Sequence, residues 1–271
     1  MADRLRQPTR SPDWLSAMAD AVSGIAAEAG AMAHDRFDTD FQRWEKTPGS
    51  PVCELDIAID RMLKARLSTL LPEAGWLSEE TADNADRLAH DLLWVVDPID
   101  GTRDYIRARP GWCVSIGLVD RGRPVIGILD APTRGEHWRA VAGQGATRNG
   151  VPLKAGTRTD FAGSRTPVDA LPKADRDLVM VHKPNSIALR IAMVAADEAD
   201  LVATLRWGNE WDIAAAVLVA SEAGAAVSDA LGAPLVFNKP RPQDFGVLAC
   251  AAGIHSAAVD RLANRARAVL G

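Results

Sequence analysis

Trp14, Met18, Val22, Ile25 and Ala29 recur at helical spacing, so the chain opens on a helix reaching about residue 34. Ser11-Pro12-Asp13 ahead of them supplies an N-cap, a first-turn proline and an acidic first turn. A second helix is expected over 58–71, with Met62, Leu63, Leu67, Leu70 and Leu71 on its apolar face and Pro72 stopping it. The run 91–97 is short, apolar and ends in acids, as a buried strand does. Two apolar runs, 113–119 and 125–130, flank Asp120-Arg-Gly-Arg-Pro124 and read as a hairpin, with a further strand over 137–142. Turn signals at Gly143-Gln144-Gly145 and Asn149-Gly150 divide the chain into two expected parts, 1–143 and 144–271, which together form one catalytic unit. The second part alternates strands over 178–182, 201–205 and 245–250 with helices over 186–196, 212–223 (ending at Gly224) and 255–270. Such alternation implies a layered α/β (α+β) fold.

Composition narrows the class. The chain has 271 residues, 47% apolar and 25% charged, with a net charge of −5. A chain of this length buries about three-quarters of its unfolded surface and needs no disulfide or metal to fold. The acidic balance argues against a nucleic acid polymer as partner. Cys53, Cys113 and Cys250 are far apart, with no CxxC, and read as reduced core thiols. The opening MADRLRQPTRSPDW has no apolar core close behind it, and no 18-residue uncharged run exists, so neither a signal peptide nor a membrane span is expected. A cytoplasmic location follows as the expectation. Trp94 and Trp211 are expected in the wall of a cleft, and Trp112 and Trp138 in the core.

The chemistry concentrates at Trp94-Val-Val-Asp97-Pro98-Ile99-Asp100-Gly101-Thr102. Asp97 and Asp100 lie three apart at the end of the apolar strand; Pro98 removes a donor and Gly101 permits close backbone approach. Two carboxylates in one cleft repel unless a cation sits between them. Oxygen ligands suit Mg2+ or Mn2+ better than zinc, and a helix starting at Gly101-Thr102 would turn N–H groups toward a phosphate. A pair of turn-capping aspartates accounts for this segment taken alone. It does not account for Asp56 after Ser50-Pro51-Val52, Glu79-Glu80 after an apolar run, or Asp212 in Asn209-Glu210-Trp211-Asp212-Ile213-Ala214-Ala215.

Together these residues resemble the lithium-sensitive, magnesium-dependent phosphatase superfamily, which includes inositol monophosphatases and 3'(2'),5'-bisphosphate nucleotidases. Its pattern is an Asp, an acidic pair, D-P-[IL]-D-G-[ST], then W-D-x-A-A before a helix ending in glycine; the parts occur here in order over residues 46–224. The resemblance implies an αβαβα sandwich and two or three Mg2+ ions. It also implies a first metal held by Glu79, Asp97 and the Ile99 carbonyl, and a second held by Asp97, Asp100 and Asp212. Glu80 would support these ligands, Asp56 and Thr102 would activate the water held there, and the Gly101 and Thr102 N–H groups would cradle phosphate. The implied partner is a small phosphorylated substrate; a homodimer stays open.

The segment 50–56 is similar to the S-P-V-T-x-A-D of the bisphosphate nucleotidase branch, and Asn209-Glu210-Trp211-Asp212 to bacterial nucleotidases of that branch. The chain departs from common family patterns at Pro184-Asn185-Ser186 and at Ala216. The leading expectation is hydrolysis of 3'-phosphoadenosine 5'-phosphate to AMP and phosphate. The alternatives are inositol-1-monophosphatase and a catalytically silent metal-binding relative. A second substrate phosphate needs cations, for which Lys183 and Arg206 are the candidates. Arg190 is a weaker one, because a helix-borne arginine usually faces solvent, and Glu210 is a candidate for a sugar hydroxyl.

Overall fold

The computed structural model describes residues 9–47 and 50–270. The first eight residues of the N-terminal stretch read above lie outside these. Helix α1 (Pro12–Asp35) starts where its cap signal stands, with Ser11 Oγ accepting from the Trp14 N–H at 3.3 Å. A hairpin of β1 (Arg43–Thr47) and β2 (Ser50–Cys53) leads into α2 (Glu54–Leu70). This helix begins four residues before its apolar spacing does. Its first turn is held by a polar device instead: Asp56 Oδ2 accepts from the Cys53 N–H at 2.7 Å.

Next come β3 (Gly75–Ser78), a 3-10 turn (Ala85–Ala89), β4 (Leu92–Asp100) and the short α3 (Thr102–Ile106). They are followed by β5 (Cys113–Asp120), β6 (Arg123–Ala131), β7 (Glu136–Val141), β8 (Gly145–Arg148) and β9 (Val151–Pro152). The seven strands β3 to β9 form one sheet in chain order, with β3 parallel to β4 and every other neighbour antiparallel. The division expected at 143/144 falls inside the β7–β8 hairpin, so the sheet runs on to Pro152.

Strand β4 is buried along its whole length, which explains a continuous apolar run where a one-sided strand would alternate. Trp94 and Val96 face α1 and α2; Leu93 and Val95 face the opposite layer. That layer consists of α4 (Ile187–Ala195) and α5 (Glu210–Glu222). Helix α5 approaches the sheet closely through Ala214 and Ala215: a Cβ on Gly127 would stand 2.4 Å from the Ala215 carbonyl oxygen.

The second half departs most from expectation. The run 178–182 shortens to β11 (Val179–Val181), parallel to the unforeseen β10 (Arg165–Pro167). The run 245–250 splits at Gly246 into β15 (Gln243–Phe245) and β16 (Leu248–Cys250). Strand β15 pairs with β13 (Trp207–Asn209), while β16 lies between β12 (Leu201–Ala203) and β14 (Ala226–Ser228), antiparallel to both. Helix α6 (His255–Leu270) closes the far side through Ala258 and Leu262, against Leu201, Leu248 and Cys250. The order of layers is therefore α1/α2, large sheet, α4/α5, small sheet, α6: an αβαβα sandwich. Trp94 belongs to its core and not to a cleft wall, as do Trp112 and Trp138.

Candidate active site

Four element ends meet at the C-terminal end of β4. The β4–β5 pairing slips between Asp97 and Asp100, where Pro98 has no N–H to donate, and the slip turns the strand end out of the ladder. Gly101 then adopts φ +98°, and a Cβ there would lie 2.6 Å from the Gly111 carbonyl oxygen and 2.9 Å from Ser186 N, so only glycine fits. Strand β3 runs parallel to β4 and delivers Glu79 beside it, the Glu79 N–H bonding to Val96 O at 3.3 Å. Asp212 and Asp56 stand at equivalent positions in the first turns of α5 and α2. Each accepts a bond from its own N-cap backbone: Asn209 N to Asp212 Oδ2 at 3.3 Å, and Cys53 N to Asp56 Oδ2 at 2.7 Å.

The result is a polar cleft of about 410 Å³, lined among others by Glu79, Asp97, Ile99, Asp100, Gly101, Thr102 and Asp212. Carboxylate oxygens of Glu79, Asp97 and Asp212 lie within 4.8 Å of one another. Asp97 accepts the Ile99 N–H at 3.0 Å, and among the described residues no cationic side chain forms an ion pair with Asp97 or Asp212. An all-oxygen donor set of mutually repelling carboxylates, Asp97 buried and Glu79 and Asp212 half-buried, fits hard divalent cations such as Mg2+. Asp100 also lines the cleft, but its oxygens accept from Ser186 Oγ at 2.5 Å and the Ala188 N–H at 2.7 Å, which ties the start of α4 to the strand end. Behind the cleft, the Thr102 hydroxyl lies 3.3 Å from Asp56 Oδ1 and 3.0 Å from Ile99 O.

Burial dominates the electrostatics. It raises Asp56 and Asp100 to about 6, the latter partly restrained by the Ser186 hydroxyl and the Ala188 N–H. Burial with the charges of Asp100 and Glu79 raises Asp212 to about 8. Burial, then Glu79, Asp100 and Asp212, pushes Asp97 well above the carboxylate range. Unfolded carboxylates titrate near 4. Between about pH 4 and 8 the metal-free folded state therefore binds more protons than the unfolded chain, and stability falls as pH rises through that window. The melting temperature of metal-stripped protein is expected to drop from pH 5 to pH 8, and saturating Mg2+ to remove most of the drop. A metal-free melting temperature that rises over this range would contradict the electrostatics.

The remaining candidates divide. Glu80 sits beside the cleft, its side chain 3% exposed, bonded by Lys46 Nζ at 2.5 Å; the same ammonium reaches Glu79 at 3.0 Å. Lys183 and Arg206 line the cleft, Lys183 paired with Asp169. Glu210 does not reach it. Its fully buried carboxylate accepts from the Asn238 N–H at 2.7 Å and the Lys239 N–H at 3.2 Å, so a sugar hydroxyl has no access to it. Arg190, the weaker candidate, lines the cleft and is anchored to Ser186 O at 3.2 Å and Asn185 O at 3.1 Å. Lys46 carried no signal of its own in the sequence, being one cation in a polar stretch.

The chain is similar to known proteins. Residues 14–268 match the model of the inositol monophosphatase family. The 3'(2'),5'-bisphosphate nucleotidase CysQ of Escherichia coli K12 is 31% identical over 231 residues, 82% of this chain and 94% of that protein. The Nus factor SuhB of Xylella fastidiosa is 32% identical over 212 residues, covering 73% and 74% of the two chains. The solved structure of a Thermotoga maritima IMPase superposes with a TM-score of 0.79 over 93% of this chain and 98% of its own, at 24% identity.

Proposed function

The chain belongs to the inositol monophosphatase family of metal-dependent phosphatases, and from that premise we propose that its substrate is a nucleoside 3',5'-bisphosphate, 3'-phosphoadenosine 5'-phosphate in the first place, cleaved to AMP and phosphate. The observation that carries this reading is the cationic wall of the cleft. Lys183, Arg190 and Arg206 line it together with Asp97, Asp100 and Thr102. The group that leaves inositol 1-phosphate is uncharged inositol, which offers these cations hydroxyls alone, whereas a 5'-phosphate offers them an anion to pair with. The likeness to CysQ, a 3'(2'),5'-bisphosphate nucleotidase, points the same way.

Glu79, Asp97 and the Ile99 carbonyl would hold one Mg2+, and Asp97, Asp100 and Asp212 a second. Bound there, Mg2+ supplies Lewis-acid charge neutralisation and makes water a nucleophile near neutral pH. The chain's own groups do the rest. The backbone at Gly101 and Thr102 seats the scissile phosphate. Thr102 Oγ1, 3.3 Å from Asp56, accepts a proton of the attacking water and passes its own to Asp56, whose raised pKa of about 6 makes it a usable acceptor. The water oxygen bonds to phosphorus, the bond from phosphorus to the 3' oxygen breaks in line, and that oxygen takes a proton from solvent. Glu80 keeps Lys46 against Glu79 and so steadies the acidic pair.

Lys183→Ala tests the substrate class. A bond to a charged phosphate is worth about 1.5 kcal/mol or more, or roughly tenfold. The variant is expected to lower kcat/KM for 3'-phosphoadenosine 5'-phosphate by about tenfold and to leave inositol 1-phosphate within a factor of two. Wild-type protein preferring inositol 1-phosphate would reverse the assignment.

A further inference from the structure

Glu210 and Arg87 stand outside the cleft, yet their side chains are almost fully buried, and a charge is kept there only against close partners. Glu210 is the first residue of α5, two before Asp212. Its oxygens accept from the Asn238 N–H at 2.7 Å and the Lys239 N–H at 3.2 Å, and Lys239 Nζ stands 3.4 Å away, itself pinned to Asp244 at 2.5 Å. The loop so gripped is in turn held by the 3-10 turn that follows β3. Arg87 donates to Asn238 Oδ1 at 2.6 Å and to Lys239 O at 2.8 Å, and is braced by both oxygens of Asp83 at 2.6 and 3.0 Å. The Arg87 backbone lies on Gly75, where a Cβ would stand 3.2 Å from the Arg87 Cα, at the start of the strand that delivers Glu79.

The contacts therefore run without a gap from the Glu79 strand, through Arg87 and the 238–239 loop, to Glu210 and the first turn of α5. They bridge 151 positions of sequence between Arg87 and Asn238. We propose that Glu210 and Arg87 are positioning residues that fix the separation of Glu79 from Asp212 and thereby set the affinity of the site for its divalent cation. This rests on the reading of Glu79 and Asp212 as metal ligands. The physical need is plain: the carboxylates of Glu79, Asp97 and Asp212 repel one another, so their spacing has to be held by contacts outside the donor set. Asn238 suits the joint because its backbone is left-handed, φ +63°, a conformation asparagine tolerates.

Two variants of the full-length protein test the inference. Glu210→Gln keeps the shape but removes the charge and one acceptor. Asn238→Gly keeps the left-handed backbone and removes the Arg87 bond to Asn238 Oδ1, leaving the one to Lys239 O, so it remains informative if the first variant fails to fold. Mg2+ binding to metal-stripped protein is measured by titration calorimetry well below the melting temperature, and KM separately at saturating Mg2+. Partners that orient a metal ligand typically govern about 10–100-fold in affinity. The Mg2+ Kd is expected to rise about tenfold or more in Glu210→Gln and several-fold in Asn238→Gly, with KM within twofold of wild type. A purely structural role would lower the melting temperature and leave Kd alone, and wild-type Kd in the folded variants would overturn the proposal. Wild-type protein that takes up no Mg2+ would overturn the metal site itself, and this inference with it.

Discussion

Asp97→Asn is expected to cut turnover by at least about 10³-fold while raising the melting temperature of the metal-free protein. Both effects come from the same charge. Asp97 is shared between the two expected metal positions, and cation stabilisation of the transition state is worth several kcal/mol, with each 1.36 kcal/mol a factor of ten in rate. An amide oxygen ligates Mg2+ far more weakly than a carboxylate does. In the metal-free protein, however, the Asp97 carboxylate is buried against Glu79, Asp100 and Asp212. Among the described residues its one hydrogen bond, from the Ile99 N–H at 3.0 Å, can be kept by an asparagine oxygen. Removing the charge therefore relieves repulsion without orphaning a donor. Phosphate release and a thermal melt in EDTA read the two effects separately. Activity within a few-fold of wild type would remove Asp97 from the ligand set; a lower metal-free melting temperature would show that its charge is compensated in the folded protein.

The first half of the fold and the acidic constellation were legible because their signals are local. Residues 91–130 alternate long apolar runs with turn residues, and observed β4, β5 and β6 begin within two residues and end within three of the expected strands. Asp97, Asp100, Gly101 and Thr102 come from one contiguous motif, so recognising the motif placed all four. Three-residue strands such as β10, β13 and β14 are too short to show a period, and their pairing is set by partners up to about 40 residues away in sequence. Glu210 was misplaced for a related reason. A glutamate beside Trp211-Asp212 looks exposed and reactive in sequence, and nothing local reveals that the 238–239 loop folds over it. Arg190 failed in the opposite sense: helical position suggested solvent, while the turn of α4 against Asp100 brings it to the cleft.

Metal removal is expected to have the other large effect, since carboxylate oxygens of Glu79, Asp97 and Asp212 stand within 4.8 Å of one another and a bound cation would offset their repulsion. Without Mg2+ the cleft offers a phosphate dianion several like charges at close range, and water has no strong acid to lower its pKa from 15.7 toward about 7. The hydrophobic layers of the fold do not depend on the cleft, so loss of activity is expected without loss of folding. The measurement is phosphate release from 3'-phosphoadenosine 5'-phosphate by protein stripped with EDTA, before and after Mg2+ is restored, with folding checked in both states. The expected result is turnover reduced by about 10³-fold or more in EDTA and recovered with Mg2+. Turnover within a few-fold of the Mg2+ rate in the stripped, folded protein would contradict the account.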